Sequence, residues 1–151
     1  MKMEIKNGEI TAYVEFLQKL NLKSRASRGR TKLIKLLEKK INEFNMDLNS
    51  LRDEYFKKDE QGQFIQENGR LVVKDGVSVA EAQSEADELN NENAVILLDE
   101  YQEQIKAMYQ ALDEYDGELS GTDATIYDDL MEKLEQAQKQ KEAMNYANQN
   151  E

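Results

Sequence analysis

The chain of 151 residues contains no cysteine, no histidine and no proline. Without cysteine no disulfide can form, which suits a reducing compartment. Without cysteine or histidine the usual zinc sites are closed off, and so are Cys–His and Ser–His nucleophilic pairs. Acid–base chemistry is left to carboxylates and lysines, and nothing in the sequence assembles them into a site. Without proline, long helices can run uninterrupted. Long apolar runs are missing too. The opening MKMEIKNGEI is too polar for a signal peptide or a membrane span, so a soluble, cytoplasmic chain is expected.

What is present is charge. Charged residues make up 34% of the chain and apolar residues 39%, and the apolar ones recur with strong periodicity, so one folded domain is expected rather than a disordered chain. The net charge is −11, unevenly placed. Between Lys19 and Lys40 nine Lys/Arg face the single Glu38, giving +8. Residues 1–18 carry −1, which leaves −18 for the remainder. The simplest account of this basic belt is charge complementarity between neighbouring helices. The functional account is a patch for a nucleic acid or an acidic partner. Whole-chain acidity repels phosphate and disfavours direct DNA binding.

The periodicity predicts the elements. Met1, Met3 and Ile5 alternate with charged residues, a short strand over Met1–Lys6. Ile10, Tyr13, Val14, Leu17 and Leu20 fall at helical spacing, so a helix runs over about 9–20. NLKSRASRG reads as a polar connector, with Ser27 or Thr31 capping the next helix. Leu37, Ile41, Phe44, Leu48, Leu51 and Tyr55 then step by 4 and 3, a heptad seam on the longest helix, with Phe44 a core position. KKDEQGQFIQENGRLVVKDG is a hairpin about the type I′ pair Asn68-Gly69, with Glu67 opposite Arg70. It should dock on the helices or join the first strand. Ser78 and Glu81 form a capping box for a helix over 77–90. Val95–Leu98 reads as a buried strand, and Asp99 as a helix cap. Tyr101, Ile105, Met108, Leu112 and Tyr115 form a second seam, and Tyr127, Leu130, Leu134 and Ala137 a third. The expected fold is mainly α (α+β): a helical bundle of about three long heptad-patterned helices, short additional helices, and a small antiparallel sheet built from Met1–Lys6 and the 63–74 hairpin. Residues 1–137 form the domain, and 138–151 a frayed or solvated helical tail.

The stretch DEYDGELSGTDATIYDDLMEKLE (Asp113–Glu135) packs carboxylates around Gly117 and Gly121. A calcium loop needs ligands at positions one, three and five, glycine at six and glutamate at twelve. With Gly117 at six, position one is Leu112 and position twelve Asp123. With Gly121 at six, position twelve is Tyr127. Neither register ligates, so no metal is expected. The stretch reads as a joint between helices, with Gly117 as the left-handed residue ending one and Ser120 or Thr122 capping the next. Arg25, Arg28 and Arg30 surround Gly29 without a G-x-x-x-x-G-K-[ST] motif. Tyr109 lies off its seam and is the aromatic of the ordered body expected at the surface, with Tyr146 in the tail.

The segments I-K-N-G-E-I-T-A-Y-V-E-F-L, A-S-R-G-R-T-K-L-I-K-L-L and Y-D-G-E-L-S-G-T-D-A-T-I-Y-D-D-L-M-E-K-L-E resemble a family of small phage and prophage proteins of unknown function. These come from phages of Gram-positive bacteria, near tail and lysis genes. The likeness spans most of residues 1–137. It implies phage origin and carries no site residues with it.

Two classes of function remain. One is a non-catalytic protein that binds and modulates a host or phage protein, in the cytoplasm of the infected cell. In one version the carboxylates of 47–60 and 113–135 stand in for the phosphates of DNA before a defence or nucleic-acid-handling protein. The other is a minor virion or assembly component that forms a homo-oligomer through its heptad faces. No enzyme activity, cofactor or membrane is expected. The candidate contact residues are Arg25, Arg28 and Arg30 on the basic belt, Tyr109, and Asp113, Glu114, Asp128 and Asp129 on the acidic stretch.

Overall fold

The computed structural model describes residues 1–150. The fold is mainly α with a small β part. In chain order the elements are β1 (Lys2–Lys6), α1 (Ile10–Lys19), α2 (Ser24–Tyr55), β2 (Gln66–Glu67), β3 (Arg70–Leu71), α3 (Val79–Asn91), β4 (Asn93–Leu97), α4 (Gln102–Asp113) and α5 (Gly121–Gln149). Among the described residues no helix is long and apolar enough to cross a membrane.

The core is built around α1. This ten-residue helix buries Ile10, Tyr13, Val14, Phe16 and Leu17, so it is apolar on more than one side and lies between α2 and α5. From α4 come Ile105, Met108 and Leu112, and from α5 Ile126, Leu130, Leu134 and Ala137. The second and third seams thus bury their apolar stripes inside the chain. Phe16 meets Tyr127 edge-on, with ring centroids 6.5 Å apart.

The first seam differs from expectation. On α2 the fully buried positions are Ala26, Gly29, Leu33 and Leu37, while Ile41, Phe44, Leu48, Leu51 and Tyr55 are only half-buried. At 32 residues α2 is about 48 Å long. The helix packs against α1, α4 and α3; its buried residues all lie before residue 38, and residues 47–54 share a groove with the thin helix α3. Phe44 is therefore not a core residue. The start of α2 also lies earlier than expected. Ser27 and Thr31 sit inside the helix, Lys23 takes the cap position, and no side chain closes that end. Gly29 explains the polar appearance of this stretch. A Cβ there would run into the Gln104 carbonyl oxygen of α4, so glycine lets the two backbones touch.

The sheet is also rearranged. β1 pairs antiparallel with β4, Met3 opposite Ile96 and Ile5 opposite Ala94, and not with the hairpin. The strand run 93–97 alternates: Ala94 and Ile96 face the core, Val95 and Leu97 face out. Asp99 caps no helix by its side chain. Its carboxylate takes the Met1 ammonium at 2.9 Å, and that hydrogen bond holds it below its ordinary pKa. The hairpin turns at Asn68 and Gly69, both with positive φ, and pairs Glu67 with Arg70. It docks on the chain leaving α2, through bridges from Phe56 to Val73 and from Lys58 to Phe64. The Ser78–Glu81 capping box is present in both directions. At the other end α5 runs on to Gln149, exposed from Glu142 onward.

Candidate functional site

The basic belt becomes one face of one helix. Arg25, Arg28, Lys32, Lys35 and Lys39 step by 3 and 4 along α2, so their side chains line a single stripe. Arg25, Arg28, Lys35 and Lys39 are exposed, and Lys32 lies over the Tyr101 ring, 4.9 Å from its centroid. Among the described residues none of the five reaches a carboxylate within 4 Å. Of the whole belt, among the described residues, only Lys19 and Lys40 do, to Asp123 at 3.1 Å and Glu43 at 2.9 Å. Direct ion pairing with a neighbouring helix thus holds Lys19 but none of the five residues of this stripe, although Arg25 lines a cavity with Glu103 of α4. Arg30 leaves the candidate surface altogether. It is half-buried, donating to the Leu20 carbonyl and, at 3.2 Å, to the Ser27 hydroxyl. Its task is to satisfy the backbone where α1 ends.

The acidic candidates gather at the α4–α5 corner. Asp113 is the last residue of α4 and Glu114 follows it; both are exposed, as is Asp128 on the second turn of α5. Asp113, Glu114 and Asp128 form no ion pair among the described residues. Asp129 is half-buried and reaches Lys133 at 3.6 Å. The corner is held by the Tyr127 hydroxyl, which donates to the Leu112 carbonyl at 2.6 Å. Burial first, then the charge of Asp113, pushes the Tyr127 hydroxyl above its ordinary pKa. The left-handed residue of the joint is Gly121, at φ +55°, rather than Gly117. Ser120 holds the cap position of α5 without a side-chain bond. No group of three or more Asp or Glu among the described residues is arranged to hold a metal ion.

Tyr109 is not the exposed aromatic expected. It is half-buried against the core, and burial, followed by Glu135 and Asp113, raises its hydroxyl pKa. Tyr146, on the outer end of α5, is the open one at 73% exposure.

A second acidic surface emerges between α2 and α3. Asp47 and Glu54 of α2, with Glu85 and Glu88 of α3 and Glu92 just beyond it, rim a groove floored by Leu51 and Leu89. Partial burial and then Glu85, Glu54 and Glu81 push the nearby Tyr55 hydroxyl up. The α2 half lies within the carboxylates of 47–60; the α3 half was not foreseen. Its signal is the spacing of Glu81, Glu85, Glu88 and Glu92, which step by 4, 3 and 4 and so share one helix face.

A mainly helical chain with segregated, unpaired charge on its surface is thus defined by its own geometry. It belongs to the family described as Protein of unknown function (DUF1617), whose model matches residues 1–141. The match takes in every buried residue and stops where α5 loses its apolar side. No curated protein and no solved structure matches the chain.

Proposed function

We propose that this chain is a non-catalytic, phage-encoded protein that works by binding another protein, and that its target is a host protein whose activity it modulates. The observation behind this reading is the unpaired acidic corner of Asp113, Glu114 and Asp128, beside a joint tied by the Tyr127 hydroxyl to the Leu112 carbonyl. Carboxylates left without cations in the folded chain retain their full attraction for a basic partner and steer its approach. The likeness to phage proteins supports the setting, the cytoplasm of an infected cell. A nucleic-acid-handling protein, whose own binding surface is basic, is the class of target that such a corner fits.

The test is capture from infected-cell lysate with the purified chain as bait, beside Asp113→Lys/Glu114→Lys and Asp128→Lys versions. A partner retained by the natural chain, lost from the acidic variants and released between 0.1 and 0.5 M salt is expected, since the Debye length falls from about 10 Å at 0.1 M towards 3 Å at 1 M. Retention by all baits at all salt concentrations would refute the acidic corner as the contact. The second reading, a minor assembly component, has one observation in its favour: α2 carries a long stripe of exposed charge, bordered by α4 in its first half and α3 in its second. The seams of α4 and α5 are spent inside the chain and are not free for that purpose.

A further inference from the structure

We infer that the outer face of α2 pairs antiparallel with the same face of a second copy of this chain, about a two-fold axis beside Ile41. Along this face the sign of charge reverses once. Arg25, Arg28, Lys32, Lys35 and Lys39 are followed, still at spacings of three and four, by Glu43, Asp47, Ser50 and Glu54. All of these except Lys32 are exposed. A helix positive in its first half and negative in its second is complementary to itself in one orientation only. Laid parallel in register, two copies set like charge against like. Laid antiparallel, they set plus against minus between residues 28 and 54, while Arg25 falls beyond the partner's helix, opposite the partner's Lys57.

The register is specific. Lys39 and Glu43 lie two residues either side of Ile41, Lys35 and Asp47 six, and Arg28 and Glu54 thirteen. One antiparallel alignment brings all three pairs together, with Glu43 shared between Lys40 of its own helix, at 2.9 Å, and the partner's Lys39, and the two-fold makes each twice. The uncharged partners match too. Lys32, already engaged by Tyr101, falls opposite the neutral Ser50. Leu36, half-buried, falls opposite Met46, which at 70% exposure is among the most exposed apolar side chains of the ordered body. Glu85 and Glu88 of α3 add a second acidic wall where the partner's Arg28 arrives. A separate basic or acidic protein would satisfy only one half of the stripe. Exposed ion pairs are individually weak, so this dimer is salt-sensitive and concentration-dependent.

This inference goes beyond the partner-binding reading and needs no host protein, so either can fail alone. Sedimentation equilibrium of the purified chain tests it. The expected result is a monomer–dimer equilibrium weakened at least tenfold between about 0.05 and 0.5 M salt, through screening. Lys35→Asp should weaken it about tenfold or more, and Lys35→Asp with Asp47→Lys in the same chain should restore it. Circular dichroism confirms that each variant is folded. Because the chain lacks cysteine, register is read directly by mixing Lys32→Cys chains with Ser50→Cys chains under mild oxidation. Disulfides between the two kinds of chain support the antiparallel pairing. A monomer at every concentration up to about 1 mM in low salt, a dimer indifferent to Lys35→Asp, or Lys32→Cys chains linking mainly to one another would each overturn it.

Discussion

Gly29 shows how much one missing methyl group can fix. It is buried in α2 against the backbone of α4. A neighbouring backbone cannot rotate aside as a side chain does. Gly29→Ala should therefore cost roughly 1–3 kcal/mol as overpacking, despite the higher helix propensity of alanine. Urea unfolding measures it, and an unchanged or raised midpoint would mean that the helices do not cross here. Leucines of the buried seams should behave as core: Leu130→Ala should cost about 2–5 kcal/mol. Phe44, only half-buried, should lose about 1–2 kcal/mol on truncation, in proportion to the area it hides. Equal losses at the two positions would contradict the partial cover of α2. Tyr127 adds a pH dependence. Its hydroxyl pKa is raised in the folded chain above the ordinary 10.0. A raised pKa gives stability that is fully present below the unfolded value and lost as pH rises through the folded one. Thermal midpoints should thus fall above about pH 10, less steeply in Tyr127→Phe; equal slopes would remove Tyr127 as the cause.

At the scale of elements, what was legible in the sequence is what local chemistry decides. Asn68-Gly69 accepts positive φ at both places, and Ser78 with Glu81 closes a helix start; both stand as read. The seams of α4 and α5 were legible because their 3–4 spacing is met by real burial. The same spacing on α2 continued past the point where the bundle ends, and periodicity alone does not say what covers a stripe. The start of α2 was missed because Ala26, Ser27 and Gly29 read as a linker, whereas two of them are small for the sake of α4. β1 found β4 instead of the hairpin because pairing across ninety residues leaves no local mark. Among the candidate residues, Arg25, Arg28 and the acidic corner lie where charge belongs, in water. Arg30 and Tyr109 turn inward for reasons set by neighbours remote in sequence. The exposed end of α5 carries its own prediction. Deleting residues 142–151 should change stability by less than about 0.5 kcal/mol, as for surface changes generally. A larger loss would place this segment in the core's service.

The whole molecule is less round than its size suggests. A compact chain of this length has a radius of gyration near 15 Å, and α2 alone is about 48 Å long. Small-angle scattering extrapolated to zero concentration should give a larger value than the compact one. The pairing of β1 with β4 has a consequence in time. Met3 leaves the ribosome long before Ile96, its partner across the sheet. At about 5–20 residues per second the first strand waits roughly 5–20 s for the second. Throughout that interval Met3 and Ile5 have no strand to pair with. Nascent chains stalled before residue 93 should be cut by protease within their first eight residues, and chains long enough to release β4 should be spared.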